Sequence, residues 1–510
     1  LQKKIRAGLF WFVLLQPFLD FYWFYNPPLS EIFHFSIPTI FRIVAVAVLV
    51  GLYFSQKRSW QILKKQWWII AYIGLMVVYT IVHLWHVRHF NSISPNSYGY
   101  SAGQEIFYLI RMFLPLVIIY LTEASHFSEK TVIRTIQALV GTFSGIIVIT
   151  NLFTFSLGSY GGWIKENIFG WFFGPHLSFF YTASKGFFNF ANTTSAILFM
   201  LVPLMAYVLV KEFNWINITL FTLQGLSMVM LGTKTASLGF GLACVIFAIA
   251  YLVHCFLVKD IKFSWKLVAT VAVIGGLYAA LLPKSPMLSR SNLDAKITET
   301  REKSKKPESE DKLNKKLAKG LKKNKGAKRR KFLVTFIKKY YPNYSLNQKF
   351  VHKSYPYQRD PEFWHKVMKW PVASRLNNRQ VEQAMLDQII HKNNSSLDKW
   401  LGISYVRMSN IFNLERDFKS QRYTLGIIGT ILFLGVYVAI LIYAIVYWFI
   451  KKNCRTLLIS SLILANGLAI AAAYYSGNVM DFLTATIILG FFNGYMLSQV
   501  NERKKNKRIA

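Results

Sequence analysis

The chain has 510 residues, 53% of them hydrophobic and 16% aromatic, with a mean hydropathy of +0.31. That is too apolar for a water-soluble globule of this length and points to a polytopic membrane protein. The formal charge of +37, from 60 Lys and Arg against 23 Asp and Glu, does not make the chain a nucleic-acid binder. Much of the excess lies in short connections between apolar runs, where it sets topology and meets anionic lipid.

A membrane span needs about 20 mostly apolar residues. Twelve candidate runs fall at 7–25, 32–54, 66–86, 104–122, 135–157, 189–210, 215–232, 235–258, 265–283, 423–450, 455–474 and 479–498. The first follows Lys3, Lys4 and Arg6 as a signal peptide would. Trp, Phe, Tyr and Pro17 replace the small-residue cleavage site, so it is read as a retained span. The expected fold is all-α and polytopic, with about 12 transmembrane helices. Residues 1–283 hold nine of them, 284–422 form a large polar loop, 423–498 hold three more and 499–510 form a basic tail.

Lys and Arg in the short connections set the orientation. Twenty-one fall in the set that shares a side with both termini, and four, Arg88, Lys165, Lys185 and Lys234, fall in the other. Both termini are therefore expected in the cytoplasm and the large loop outside. One large polar loop in this place suits an enzyme that handles a bulky water-soluble group on a lipid carrier.

The loop divides in two. Between Arg301 and Lys331 fifteen basic residues face four acidic ones, a composition expected to give a flexible insert with some helix. Its partners could be anionic headgroups, a phosphate-bearing polymer or water. Residues 332–422 have recurring aromatic and apolar positions and are expected to fold. In RQVEQAMLDQII, Val381, Met385 and Ile389 recur every fourth residue, which suits an amphipathic helix lying over the bundle mouth or packing against other loop helices. His365 and Trp364 of FWHK suit sugar stacking or packing within the loop.

Cys244, Cys255 and Cys454 lie in or beside spans, without metal-ligand spacing, and no P-loop, GxGxxG or HExxH pattern is present. No cofactor is expected, and activation has to arrive with the substrate. Charges in or beside spans are costly unless paired or hydrated. Arg111, Asp20, Arg42 and Lys234 are such positions, open to structural pairing, snorkelling or a polar pocket. The densest cluster precedes the tenth span, where Glu415, Arg416, Asp417, Lys419 and Arg422 lie in NLERDFKSQRYTLGIIG. Glu415 and Lys419 suit a surface ion pair, and equally a carboxylate taking a proton from a sugar hydroxyl beside cations that steady a departing diphosphate.

The GIIG after the large loop, the GTKTASLG turn and FNFANTTSAILFMLVPL resemble the membrane core of the O-antigen ligase and polymerase superfamily. QPFLDFY and ERDF are similar to its Gram-positive branch, found in capsule, exopolysaccharide and cell-wall polysaccharide loci. The resemblance covers the whole chain in layout, and the order of the motifs carries it.

The resemblance implies a metal-independent, membrane-embedded glycosyltransferase of the C type. Its donor would be an oligosaccharide on polyprenyl (undecaprenyl) diphosphate, its acceptor a glycan, and its place the outer face of the plasma membrane among membrane lipids. Polymerase is favoured over ligase. Many relatives have Thr, any residue, Ser, Arg in the turn where this chain has Lys234. A His found in others aligns with Glu415 and is absent here, which makes Glu415 and Asp417 the expected catalytic carboxylates. Arg111, Lys234, Arg375, Arg379 and Arg422 are the expected diphosphate ligands, since arginine forks match phosphate oxygens. Asn478, where some relatives have His, is assigned no role. The alternatives are a lipid-linked oligosaccharide flippase or other polysaccharide transporter, a cell-wall synthase of about ten spans, and a scaffold that binds polymer.

Overall fold

A computed structural model describes residues 2–23, 36–93, 98–174, 178–303, 309–411 and 414–505. Every regular element among them is a helix, and ten helical stretches are long and apolar enough to cross a membrane. The bundle opens with α1 (Gln2–Leu15), α2 (Ile37–Phe54), α3 (Trp67–Val87), α4 (Ala102–Ser125), α5 (Glu129–Leu152), α6 (Ala191–Lys211), α7 (Trp215–Leu231), α8 (Lys234–Val253) and α9 (Trp265–Leu281). The insert follows with α10 (Pro286–Lys303), α11 (Glu310–Lys323), α12 (Gly326–Tyr340) and α13 (Asn378–Asn393). The chain returns through α14 (Asp417–Phe433), α15 (Gly435–Ile450), α16 (Leu457–Tyr475) and α17 (Leu483–Lys505).

Two of the twelve expected spans fall short of that length. The first is α1 followed by a tighter 3-10 stretch, Gln16–Trp23, where Pro17 brings no amide to the α-helical ladder. The seventh, α7, has 17 residues, started by the Asn214 side chain on the Asn217 N–H and stopped by Gly232 at φ +66°. The predicted end of the first span and start of the second lie partly outside the described residues.

Burial sorts the helices. In its most apolar stretch α6 is 94% buried and α17 is 89%, against 17% for α3. α6 and α17 therefore form the axis, and α3 turns most of its side chains towards lipid. Buried charge near the axis is matched locally. Arg42 donates to the Gln16 side chain at 2.9 Å, to the Gln16 carbonyl at 2.9 Å, to Asp20 at 3.1 Å and to Thr484 at 2.9 Å. Both Arg42 and Asp20 thus tie the first two helices to the start of α17, the pairing a low-dielectric interior requires.

The insert has a hydrophobic core of its own, with Phe336, Ile337, Tyr344, Trp364, Met385 and Ile389 buried in it. Residues 309–331, within the stretch expected as a flexible insert with some helix, form α11 and the start of α12. Ser309 caps α11, Glu310 and Asp311 fill its first turn, Lys322 and Lys323 its last, and Leu313 and Leu317 are buried. Local capping, dipole-matched charge and one apolar stripe outweigh the net charge. Trp364 is fully buried and donates to the Tyr355 carbonyl at 2.8 Å, so it packs the loop and offers no face to a sugar. The stripe of Val381, Met385 and Ile389 also points into this core.

The return to the bundle is a broken helix. Expected to begin near Tyr423, α14 starts at Asp417 and breaks at Gly426, whose φ of +69° and ψ of −176° are non-helical. The break leaves carbonyls without helical partners. Ile403 N–H serves Tyr423 at 2.9 Å, Ser404 N–H serves Thr424 at 3.2 Å, and the Tyr79 hydroxyl serves Leu425 at 2.6 Å. Gly402 and Gly426 lie against each other's strand of backbone so closely that a Cβ on either would collide with main-chain atoms.

Candidate functional site at the foot of the insert

Helix α13 runs alongside the start of α14 as a ladder. Arg379 pairs with Glu415, Lys419 donates to Gln383 at 2.7 Å, and the Tyr423 hydroxyl bonds Asp387. Each rung joins residues 36 apart in sequence. Rungs recur every fourth residue on both sides, so they follow one turn per step.

Arg379 also reaches the Ser476 carbonyl at 3.4 Å. Burial lowers the pKa of its guanidinium, the Arg416 and Arg290 charges act in the same direction, and Glu382 opposes them. Three arginines from α10, α13 and the start of α14 are therefore electrostatically coupled, with two carboxylates among them. Arg416 takes the strained φ of +78°, and its buried Nε has no hydrogen-bond partner among the described residues. Glu382 is 2% exposed with Oε2 likewise unpartnered, and burial pushes its carboxyl up to about 7 despite Arg379 and Lys349. Strain and unmatched buried polar atoms at one place single this cluster out as the candidate ligand site.

Asp417 lies beside this cluster but faces inward. Its carboxylate accepts the backbone N–H groups of Asn478, Val479 and Met480 at 2.8, 2.9 and 2.7 Å. Three amides leave little lone-pair capacity for a substrate proton. The loop it holds bears Asp481, which accepts from the Tyr108 hydroxyl at 2.8 Å and from Gln421. Arg111 lies over the rings of Tyr108 and Tyr405, at 4.8 and 5.0 Å, and interacts electrostatically with Asp481. Its Nε is buried without a hydrogen-bond partner among the described residues. Tyr405 is held by its N–H on Glu105, at 2.9 Å to the nearer oxygen, and Glu105 in turn meets His83 at 2.9 Å.

The remaining expected ligands are dispersed. Lys234 is exposed at the first position of α8, in a turn whose Gly232 carbonyl accepts from Tyr160 at 2.7 Å. Arg290 stacks on that same Tyr160 at 4.5 Å, so the turn and the arginine cluster meet through one ring. Arg422 is exposed on α14. Arg375 is buried away from these groups, donating to the Tyr344 carbonyl at 3.0 Å and to Glu310 at 2.7 Å. It braces the insert.

The structure thus brings Glu415 and Arg379 into contact, sets Asp417 and Arg111 in adjoining buried networks, places Lys234 across Tyr160, and leaves Arg375 and Arg422 outside. Sequence reasoning missed Arg290, Glu382, Asp481, Tyr108, Tyr405 and Gln421. Asp481 had a visible signal, a carboxylate opening a span in SGNVMDF. Arg290 and Glu382 had none beyond being charged residues of the loop. Among the described residues no three His, Cys, Asp or Glu side chains converge as a metal site.

Together the apolar bundle and the cationic cluster at its insert end define an all-α polytopic membrane protein with an anion-binding candidate site. A family model for O-antigen ligase like membrane proteins matches residues 2–503, and the chain belongs to that family. This points to glycan transfer or polymerisation at the membrane. A search of the curated proteins finds no significant match.

Proposed function

We propose that the protein transfers or polymerises glycan repeat units from a polyprenyl diphosphate donor to an acceptor glycan, on the outer face of the plasma membrane. Both termini are then cytoplasmic and the insert is extracellular, as the 21-to-4 split of Lys and Arg favours. The observation that carries the reading is the part-exposed pair of Arg379 with Glu415, with Arg290 and Arg416 near enough to act electrostatically on the same Arg379.

Arg379 and Arg416 grip the diphosphate, with Arg290 and Lys234 at its flank and Arg111 beneath. As Arg379 turns from Glu415 to phosphate oxygen, Glu415 is freed as the base. The acceptor hydroxyl oxygen attacks the anomeric carbon, its proton passes to Glu415, and the anomeric carbon–oxygen bond breaks with its electron pair left on the diphosphate. The leaving group is stabilised by the arginines and no metal is needed. Asp417 acts as a positioning residue through the 476–482 loop.

Purified protein in liposomes, given a polyprenyl-diphosphate repeat unit on the insert face, is expected to lengthen or transfer the glycan without nucleotide sugar or added metal. Movement of the glycan between leaflets with no new glycosidic bond would overturn the proposal in favour of a flippase. Full activity in Glu415→Gln would remove Glu415 as base.

A further inference from the structure

The basic stretch of the insert has an ordered geometry that the transfer site does not use. On α11, Lys312, Lys315, Lys319, Lys322 and Lys323 are exposed, and no acidic side chain pairs with them among the described residues. Lys312, Lys315, Lys319 and Lys322 recur every three or four residues, with Lys323 beside the last, so they form one line of ammonium groups about 15 Å long at 1.5 Å per residue. The opposite face of the helix is locked into the insert core through Leu313 and Leu317.

We propose that this lysine line docks a linear polyanionic glycan, a phosphate- or carboxylate-bearing chain that serves as acceptor or product of the transfer reaction. The inference rests on the proposed function and adds the charge class of its polymer. Three observations favour a polymer over a lipid surface. An interfacial helix needs exposed apolar side chains to enter the headgroup region, and none of the large exposed hydrophobic residues lies between 310 and 340. The apolar stripe is already buried. The line also starts at Glu310, which holds Arg375 at 2.7 Å in the short segment 372–376 directly before α13, the helix that bears Arg379. The charges of a growing chain that passed this segment would be attracted along the lysines.

The test uses the full chain in nanodiscs of zwitterionic lipid, with fluorescent polygalacturonate oligomers as probe and dextran of equal length as control. Binding of polygalacturonate that weakens with salt, with none of dextran, is expected. Lys315→Glu, Lys319→Glu and Lys322→Glu together should weaken it at least tenfold, and the matching Gln triple variant should weaken it less. Unchanged melting temperatures keep folding separate from binding. Equal binding of dextran, or unchanged binding in the Glu variant, would overturn the inference. So would loss of flotation with anionic vesicles in that variant while polygalacturonate binding persists, since a membrane surface would then be the partner. Binding is read without donor, so its failure is distinguishable from failure of transfer. Transfer to a neutral acceptor should be unchanged in the Glu variant, whereas kcat/KM for an acidic acceptor should fall.

Discussion

The Asp417 carboxylate and the Met480 N–H stand 2.7 Å apart, the shortest of three amide contacts that close the 476–482 loop on the start of α14. A carboxylate so placed suits the positioning role proposed for it better than a proton transfer. Asp417→Ala leaves three buried donors unmet, each costing about 1–3 kcal/mol. A large drop in melting temperature in nanodiscs is expected, with Asp417→Asn between it and the parent. In Asp417→Asn the protein that remains folded should keep the parent's pH–rate profile, which a lost base would not allow.

Glu415 should behave in the opposite way. Its pair with Arg379 is about one-third exposed on each side, and such pairs contribute about 0–1 kcal/mol to stability. Glu415→Gln is expected to melt near the parent temperature while transfer falls about 10²–10⁴-fold, the usual worth of general base catalysis. Single-turnover transfer in liposomes measures it.

Arg379 and Arg416 are expected to govern donor binding. Arg379→Lys keeps the charge and loses the fork, so the donor KM should rise about 10- to 100-fold, the size of a charge-assisted contact of about 1.5–3 kcal/mol. The acceptor KM should stay put. Arg416→Ala should weaken the donor similarly, and Arg416→Gly, which relieves the φ of +78°, is not expected to recover activity.

The insert's Glu382 should make stability depend on pH. Burial raises its carboxyl to about 7, so the folded state holds the proton more tightly than the unfolded chain. The stabilisation is full below about 4.5, the ordinary carboxyl value, and is lost as pH rises through about 7. Glu382→Gln is expected to melt a few degrees above the parent at pH 8 and close to it at pH 4.5. Thermal scans at the two pH values check the sign.

Gly426→Ala should damage the junction. Its φ of +69° is unfavourable for a side chain, and the added Cβ would meet the Trp400 and Leu401 backbone. Strain of this kind costs about 1–3 kcal/mol before the collision is counted. Protease cleavage in the insert should become faster, read by limited digestion at constant temperature.

Much of the architecture was legible in the chain because bilayer thickness imposes a length on apolar runs. The α6 and α17 segments read as plainly as the lipid-facing α3, although only the structure separates axis from periphery. The break at Gly426 was half visible as the first glycine of GIIG, but the partners that permit it, Ile403, Ser404 and Tyr79, lie in remote segments with no pattern linking them. The acidic and basic residues from 415 to 422 were legible as a cluster. Which of them face substrate was not, because Asp417 is claimed by amides 61 to 63 residues later. In the α11 stretch, read as a flexible insert with some helix, the charge is conspicuous, whereas two leucines and a serine cap decide the conformation.

The ladder between α13 and α14 has a mechanical consequence. Its end rung, Arg379 with Glu415, is ionic, and the next two are hydrogen bonds at Lys419 and Tyr423. When phosphate competes for Arg379, one tooth of the zip opens while two keep the register. Under the proposed function the insert would exchange its grip from protein to substrate without drifting from the bundle. In the proposed reaction, loss of the diphosphate would close the same tooth and return Glu415 to its resting partner, so that the step releasing the product would also reset the site.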